Sequence, residues 1–329
     1  FKNLNVLLFL KLIMCGITGL WSNFGTKDEH IKSIKKMNEA LHHRGPDGVG
    51  IWNDSEENIF LGHTRLSILD LSLSGSQPMR SQNERYVISF NGEIYNHLEL
   101  KKELEKIKSG FRWRGHSDTE ILLEMISLNG LENTLPKCKG MFSLALWDRE
   151  EKCLKLARDR IGEKPLYYGF CEEGVDKSFV FGSELSSFKA LKYFNNRINT
   201  KALSQLINYG AISAPNSIFE GIYQLIPGTI LTLNSPFTNE LSNPKKWWSL
   251  NNEVEISFSN QIYSENEAIL ILEEVLKNSI KGQSIADVPL GTFLSGGIDS
   301  SLITALLQAQ SKRKVKTFTI GFEEENFNE

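Results

Sequence analysis

The sequence predicts two domains of different class, an α+β domain followed by an α/β domain with a parallel sheet. The chain has 329 residues, about twice the length of a common domain. Short strand-like runs separated by turn residues dominate as far as residue 190. A strand–helix–strand pattern follows between residues 288 and 320, and this order places two parallel strands in one sheet.

In the first domain, apolar residues at helical spacing predict a helix over 28–41, capped by Asp28 and ended by Gly45-Pro46. A second helix is predicted at 121–126, begun by the Ser117–Glu120 segment and ended by Gly130. The strands are predicted as apolar and β-branched runs bounded by turn signals, at 15–21, 58–61, 86–90, 141–147 and 178–181.

In the second part of the chain, the polar stretch 234–260 is rich in Asn, Ser and Pro, which predicts a loop or an interdomain excursion. A helix is predicted over 265–281, a strand over 288–294, a helix that ends near residue 310 and a strand over 315–320. Together these elements predict the βαβ unit of the second domain.

We divide the chain into three segments. Residues 1–13 are expected to be an upstream extension that is absent from the mature protein. Residues 14–205 and 206–329 are expected to form the two domains. The second domain is expected to be truncated, because the last residues carry no terminating signal.

Composition narrows the possible partners. A formal net charge of −3 gives no basis for binding nucleic acid or an anionic membrane surface. The longest apolar run, at residues 6–10, is too short to span a membrane. The four cysteines (Cys15, Cys138, Cys153 and Cys171) include no CxxC pair, which argues against zinc and against a disulfide framework. We therefore expect a cytoplasmic protein whose chain holds no metal.

Cys15 follows Met14 directly and is the strongest candidate nucleophile. Removal of Met14 would give Cys15 a free α-amine with an ordinary pKa of about 7.7–8.0, which suits proton transfer at neutral pH. Its thiol, with an ordinary pKa of about 8.5, is intrinsically nucleophilic as the thiolate. The alternative interpretation is that Cys15 is a small buried hydrophobic residue.

A second candidate site lies between the strand and the helix of the second domain, at Ser295-Gly296-Gly297-Ile298-Asp299-Ser300-Ser301. Glycines allow the backbone to approach an anion, and the helix N-terminus and the serine hydroxyls supply hydrogen-bond donors. The segment lacks the Gly-Lys-Ser/Thr of a Walker A loop. The alternative is a structural turn in which Asp299 caps the helix.

Three further signals in the first domain are weak when taken singly. Asn91-Gly92 predicts either a hairpin turn or an oxyanion hole. Arg65 is either a carboxylate-binding guanidinium or a solvated surface charge. Asp118 either holds an ammonium group or belongs to a plain capping box. Together with Cys15, these residues describe one site for an amino acid with a side-chain amide.

The loop at 295–301 resembles the pyrophosphate loop of the ATP-pyrophosphatase group, and from Met14 onward the chain resembles glutamine-dependent asparagine synthetases of the AsnB type. The resemblance rests on segments that occur in the family's order, namely Met14–Trp21, His43–Gly48, His63–Asp70, Asn91–His97, Ser117–Glu120, Gly140–Asp148, Arg158–Tyr168, Phe181–Glu184, Ile226–Gly228 and Asp287–Ser301.

This resemblance implies that the first domain is an N-terminal-nucleophile glutaminase with an αββα sandwich fold. Cys15 would attack the glutamine amide, its α-amine would carry the proton, and Asn91 and Gly92 would stabilise the oxyanion. The residues implied to bind glutamine are Arg65, Leu66, Ser67, Ile68, Leu69, Asn91, Gly92, Glu93 and Asp118.

For the second domain, the resemblance implies an α/β ATP-pyrophosphatase fold that converts aspartate to asparagine through a β-aspartyl adenylate, with ammonia delivered from glutamine through an interior tunnel. The implied ATP contacts are Leu294, Ser295, Gly296, Gly297, Asp299, Ser300 and Ile320, with Mg²⁺ on the nucleotide and its protein ligands unknown. A homodimer is also implied. Because the family's later synthetase motifs would lie beyond Glu329, this chain by itself is expected to hydrolyse glutamine without completing asparagine formation.

Two alternatives remain open from the sequence. One is an amidotransferase of the same superfamily that acts on another carboxylate, such as a sugar uronate of a polysaccharide. The other is an inactive module that binds glutamine or a nucleotide, which would retain the residues before Cys15.

Overall fold

The computed structural model describes residues 14–107, 110–173, 176–236 and 241–321. These residues form two compact units, divided between Leu250 and Asn251. The predicted extension, residues 1–13, lies outside the described residues. The division also differs from the predicted boundary at 205/206, because the short strands between residues 222 and 246 pair with one another and with strands of the first unit.

The first unit is built on antiparallel strands. They are β1 (Gly16–Ser22), β2 (Gly48–Asp54), β3 (Ile59–Arg65), β4 (Met79–Arg80), β5 (Tyr86–Ile94), β6 (Gly140–Asp148), β7 (Cys153–Arg158), β8 (Tyr167–Glu173), β9 (Asp176–Gly182), β10 (Ile222–Gln224), β11 (Thr229–Asn234) and β12 (Lys245–Lys246). One sheet has the strand order β10-β8-β9-β1-β3-β2, and the other has the order β12-β11-β7-β6-β5-β4.

Helices cover the outer faces of the two sheets. They are α1 (Lys27–Ala40), α2 (His97–Ile107), α3 (Asp118–Asn129), α4 (Leu131–Thr134) and α5 (Leu185–Lys189), with 3₁₀ turns at Leu73–Gly75 and Leu135–Lys137. A further helix, α6 (Thr200–Tyr209), buries Ala202. The cap of α1 is Thr26 and not Asp28, because Thr26 and Glu29 satisfy each other's backbone N–H groups in a capping box. Helix α3 begins after Ser117 and ends at Gly130, as predicted.

Successive side chains of a strand point to opposite faces of its sheet, so the apolar residues form three layers. In β1, Ile17 and Trp21 face the other sheet, whereas Leu20 packs with residues of α1 and α5. In β5, Val87 lies between the sheets and Ile88 packs with residues of α2 and α3. The first unit is therefore a helix–sheet–sheet–helix sandwich, and the predicted αββα architecture is confirmed.

The second unit contains a small α/β arrangement. Its described elements are α7 (Leu250–Phe258), α8 (Glu265–Gln283), β13 (Gly291–Phe293), α9 (Ile298–Gln310) and β14 (Lys316–Phe318). The first residue of α7, Leu250, is the last residue of the first unit. Strands β13 and β14 pair in parallel, which confirms the predicted βαβ unit. The loop prediction over 234–260 is wrong at α7, where apolar residues recur every fourth position. Among the helices described, none is long and apolar enough to cross a bilayer.

Candidate active site

The first unit brings distant segments of the chain to one cleft. Cys15 directly precedes β1, Arg65 ends β3, Asn91 lies in β5 and Asp118 begins α3. The cleft is lined by Met14, Cys15, Arg65, Leu66, Ile68, Leu69, Gly75, Gln77, Phe90, Asn91, Gly92, Glu93, Ser117, Asp118 and Thr119. Of the predicted glutamine-binding residues, Ser67 is not on this wall, and its N–H donates to the Asp47 carboxylate at 2.8 Å.

The hairpin interpretation of Asn91-Gly92 is wrong. Strand β5 continues through both residues and pairs with β6 over its whole length, so no turn forms there. The Asn91 side chain is fully buried, and neither its nitrogen nor its oxygen has a hydrogen-bond partner within the described residues. Because a buried unpaired amide destabilises a fold, its position on the cleft wall favours a role toward a ligand.

The surroundings of Cys15 keep its thiol protonated. Its Sγ lies 3.3 Å from the N–H of Leu66, which donates to it. Burial raises the pKa of the thiol to about 11, and the Leu66 N–H opposes this shift. In the described structure Met14 is still joined to Cys15. A thiol of this kind requires a base beside it before it can attack a carbonyl carbon.

The guanidinium of Arg65 is held by backbone carbonyls. It donates to the oxygen of Ser72 at 2.7 Å and to the oxygen of Asp70. The Asp70 carboxylate in turn accepts from the backbone N–H of His116 at 2.9 Å. Within the described residues no carboxylate lies within ion-pair distance of Arg65. Its charge is therefore available to an anionic group in the cleft.

Two carboxylates share the same cleft. Asp118 accepts hydrogen bonds from the backbone N–H groups of Ile94 and Thr119, both at 2.8 Å. Burial raises the pKa of Asp118, and it raises the pKa of Glu93 to about 7, with Asp118 adding to the shift of Glu93. A bound cation would relieve this repulsion, so the pair is suited to an ammonium group.

The structure adds two residues to which the sequence assigned no role. Arg44 donates to the carbonyl of Cys15 at 3.2 Å and to the Glu184 carboxylate at 2.7 Å, so it fixes the backbone at the nucleophile. Lys164 has its ammonium beside Met14. Both residues lie in segments that carried the family resemblance, and that was the available signal.

In the second unit, the predicted nucleotide-binding residues form one loop and the adjoining strand and helix ends. The Ser300 hydroxyl interacts with the Ser295 hydroxyl at 3.1 Å and with the Gly297 carbonyl at 3.1 Å. Gly296 has a φ of 89°, which favours glycine. Leu294 follows β13 and Ile320 follows β14, and the Thr319 hydroxyl donates to the Leu294 carbonyl at 2.6 Å.

This loop fits a phosphate group, because it leads into the N-terminus of the 13-residue helix α9, where backbone N–H groups have no helical partner. Leu294, Ser295, Gly296, Gly297, Asp299, Ser300 and Ile320 are all within this region. In the described part of the chain, no group of three or more His, Cys, Asp or Glu side chains is arranged to hold a metal ion.

His63, behind the cleft, is expected to make stability depend on pH. Burial lowers its pKa to about 4, against the hydrogen bond from its ring to the Phe90 carbonyl. In the unfolded chain the His63 imidazole takes up a proton below about pH 6.5, whereas in the folded chain it stays neutral down to about pH 4. The free energy of unfolding therefore falls as the pH drops from about 6.5 toward 4. Between pH 7.5 and pH 5 the loss is about 2 kcal/mol.

Urea unfolding of His63→Gln at both pH values checks this expectation. The variant is expected to lose that part of the pH dependence, whereas His42→Gln, at an exposed histidine, is expected to keep it. Equal pH dependence in His63→Gln and in the unchanged protein would contradict the assignment.

Comparisons with known proteins agree with this geometry. Residues 14–248 match a family described as a glutamine amidotransferase domain, and residues 271–329 match one described as asparagine synthase. The chain is 33% identical over 319 residues to "Asparagine synthetase [glutamine-hydrolyzing] 3" of Bacillus subtilis, covering 94% of this chain and 48% of that protein. It is also 33% identical to "Asparagine synthetase [glutamine-hydrolyzing] 1" of the same organism, covering 96% of this chain and 47% of that protein.

A solved structure shares the fold. The "structure of the allosteric regulatory enzyme of purine biosynthesis" aligns with a TM-score of 0.50 at 18% identity, over 96% of this chain and 68% of that one. The chain spans about half the length of the curated relatives that it matches. The chain belongs to the glutamine amidotransferase family over most of its length, and its residues 271–329 match the asparagine synthase family.

Proposed function

We propose that the protein is a glutamine-dependent asparagine synthetase. In this proposal the first domain hydrolyses glutamine, and the ammonia converts aspartate to asparagine at the ATP site of the second domain, giving glutamate, AMP and pyrophosphate. The observation that carries it is the convergence of Cys15, Arg65, Asn91 and Asp118 on one cleft. Chemically, these groups supply a nucleophile, an anion site, an oxyanion donor and a cation site.

The proposed hydrolysis begins when the α-amine of Cys15, freed by removal of Met14, takes the thiol proton. The thiolate attacks the side-chain amide carbon of glutamine, and the oxyanion accepts hydrogen bonds from the Asn91 amide and the Gly92 N–H. The C–N bond then breaks as the α-ammonium gives the proton to the departing nitrogen, which leaves as ammonia. Water, deprotonated by the same amine, cleaves the thioester and releases glutamate.

The substrate backbone is held by cleft charges that form no ion pair within the described residues. Arg65 binds the α-carboxylate of glutamine through its planar guanidinium. Asp118 and Glu93 bind the α-ammonium, which lowers the repulsion between the two carboxylates. Leu66, Ile68 and Leu69 line the remaining wall. Glutamine thereby enters with its amide toward Cys15.

In the second domain, the loop 295–297 and the start of α9 are proposed to bind the phosphates of ATP. Gly296 and Gly297 allow close approach, and the Ser295 and Ser300 hydroxyls donate. ATP supplies the adenylyl group that activates the aspartate β-carboxylate, and the N-terminal amides of α9 stabilise the departing pyrophosphate. Leu294 and Ile320 lie at neighbouring strand ends, where they contact the adenine.

Gly75→Ala is expected to raise the KM for glutamine by about 10-fold or more while kcat changes by less than about threefold. A Cβ at this position would lie 2.2 Å from the Arg65 guanidinium and 2.9 Å from the Asp70 carbonyl, so the guanidinium must move. Gly48→Ala is the matched control, because its Cβ would meet Arg65 at an ordinary 3.7 Å. Steady-state glutaminase kinetics measure both, and an unchanged KM in Gly75→Ala would remove Arg65 from substrate binding.

The amide that is formed shows whether aspartate or another carboxylate accepts the ammonia. The protein encoded by the complete gene is incubated with ATP, Mg²⁺ and aspartate, with either glutamine or ammonia as nitrogen donor, and asparagine and AMP are quantified. We expect both donors to give equimolar asparagine and AMP. If aspartate gives neither product while another carboxylate, such as a sugar uronate, gives the amide, the protein is an amidotransferase with a different acceptor.

A further inference from the structure

Lys164 is a buried ammonium without an ion-pair partner in the described residues. The residue is 4% exposed, and its Nζ lies against the sulfurs of Met14 and Met141. Thioethers are weak acceptors. A buried cation with such partners costs free energy, so its retention requires a reason beyond packing.

The contact with Met14 places this charge beside the N-terminus of the mature chain. The Met14 sulfur is five bonds from the Cys15 nitrogen, so Nζ lies within about 9 Å of that nitrogen. Met14 also lines the cleft. Removal of Met14 takes away one of the two thioethers and leaves a new α-amine on Cys15, within this distance of Lys164.

We propose that Lys164 is a positioning residue whose ammonium keeps the α-amine of Cys15 unprotonated at neutral pH. This inference rests on the proposed function, since it assigns the control of the base in that reaction. Two like charges in a poorly solvated space repel each other. The protonated α-amine that removal of Met14 creates therefore loses its proton more readily beside the Lys164 ammonium. A free amine is the form that can accept the thiol proton.

Other charged groups face the same space. Arg44 and Arg65 add positive charge near Cys15, and Asp118 adds negative charge. Glu93 faces Lys164 from β5, and Asp159 and Glu163 come from the segment of Lys164 itself. Burial lowers the pKa of Lys164 to about 8, so its ammonium persists at pH 7. Asp159 is occupied by backbone N–H groups, including those of Gly162 and Lys164.

The competing explanation is that Lys164 acts indirectly, by keeping Glu93 ionised, and has no effect on the α-amine. The Glu93→Gln background removes that titration. An effect of Lys164 on the α-amine persists in this background, whereas an effect through Glu93 disappears. The comparison therefore separates the two routes.

The experiment uses mature protein that begins at Cys15, with Lys164→Met as a neutral side chain of similar length and Lys164→Arg as the charge-retaining control. Two readouts are taken from pH 5.5 to 9.5: kcat/KM for glutamine hydrolysis, and the rate at which cyanate carbamylates the Cys15 α-amine, mapped by mass spectrometry. Thermal unfolding confirms that each variant is folded, and Lys164→Gln replaces Lys164→Met if the latter does not fold.

We expect Lys164→Met to raise the midpoint of both pH profiles by about one pH unit. For kcat/KM this shift is a loss of about tenfold at pH 6 and a change of less than about twofold at pH 9. Lys164→Arg restores the profile, and the shift persists with Glu93→Gln. An unshifted carbamylation profile in folded Lys164→Met, or its disappearance with Glu93→Gln, overturns the proposal. If the unchanged protein hydrolyses no glutamine, the proposed function fails, and the carbamylation profile still reports on Lys164.

Discussion

Cys15→Ala is expected to reduce glutamine hydrolysis by at least about 10⁴-fold, because the covalent route through the thioester is lost. No other described cysteine lines the cleft, since Cys138 and Cys171 are buried in apolar layers and Cys153 is buried at the start of β7. In the protein from the complete gene, the same substitution is expected to leave ammonia-dependent synthesis within about twofold of its original rate, because ammonia bypasses the first site. Glutaminase and ammonia-dependent assays on one preparation measure both.

Cys171→Ala is the matched control for loss of a thiol. Its side chain packs in the layer between α1 and the first sheet, so both activities are expected to persist. If Cys15→Ala removed ammonia-dependent synthesis as well, while its thermal unfolding stayed normal, the separation into two sites would be contradicted. If Cys171→Ala removed glutamine use and Cys15→Ala did not, the nucleophile would be misassigned.

Asn91→Ala is expected to lower kcat for glutamine hydrolysis by about 10²–10³-fold with a small change in KM, since an oxyanion donor acts mainly in the transition state. The structure adds a second expectation. The buried Asn91 amide has no partner in the described residues, so its removal leaves no broken hydrogen bond. Thermal unfolding is therefore expected to show no loss of stability alongside the loss of turnover.

Ser89→Ala tests whether replacing any polar residue on this face of β5 lowers kcat in the same way. Ser89 lies two residues earlier, on the same face of β5, and its hydroxyl donates to the Gly62 carbonyl. We expect its substitution to change kcat by less than about threefold. A kcat for Asn91→Ala within tenfold of the original would remove Asn91 from the oxyanion hole.

Much of the fold could be predicted from the sequence because its strongest signals are local. The apolar runs of β1 and β5, the Ser117 cap of α3 and the parallel pair around α9 depend on short-range patterns. The prediction was wrong where local cues compete. A Glu three residues after Thr26 moved the cap of α1 from Asp28, and apolar residues every fourth position made a helix inside the polar stretch.

The site was predicted differently, since each residue alone had a plain structural interpretation. Asn91-Gly92 has the composition of a hairpin turn, and only pairing with β6 over the full strand shows that no turn forms. Arg44 and Lys164 could not be assigned from sequence, because their roles depend on contacts with residues 29 and 150 positions away. Such contacts are set by tertiary packing and leave no local pattern.

The central claim is that Cys15 attacks glutamine with its own α-amine as the base. The most direct measurement is covalent labelling of mature protein with an electrophilic diazoketone analogue of glutamine, followed by peptide mass spectrometry. We expect one label per chain, on the thiol of an N-terminal Cys15, with protection by glutamine and no labelling when Met14 is retained. Labelling at another cysteine, or equal labelling of Cys15 with Met14 still attached, would contradict the account.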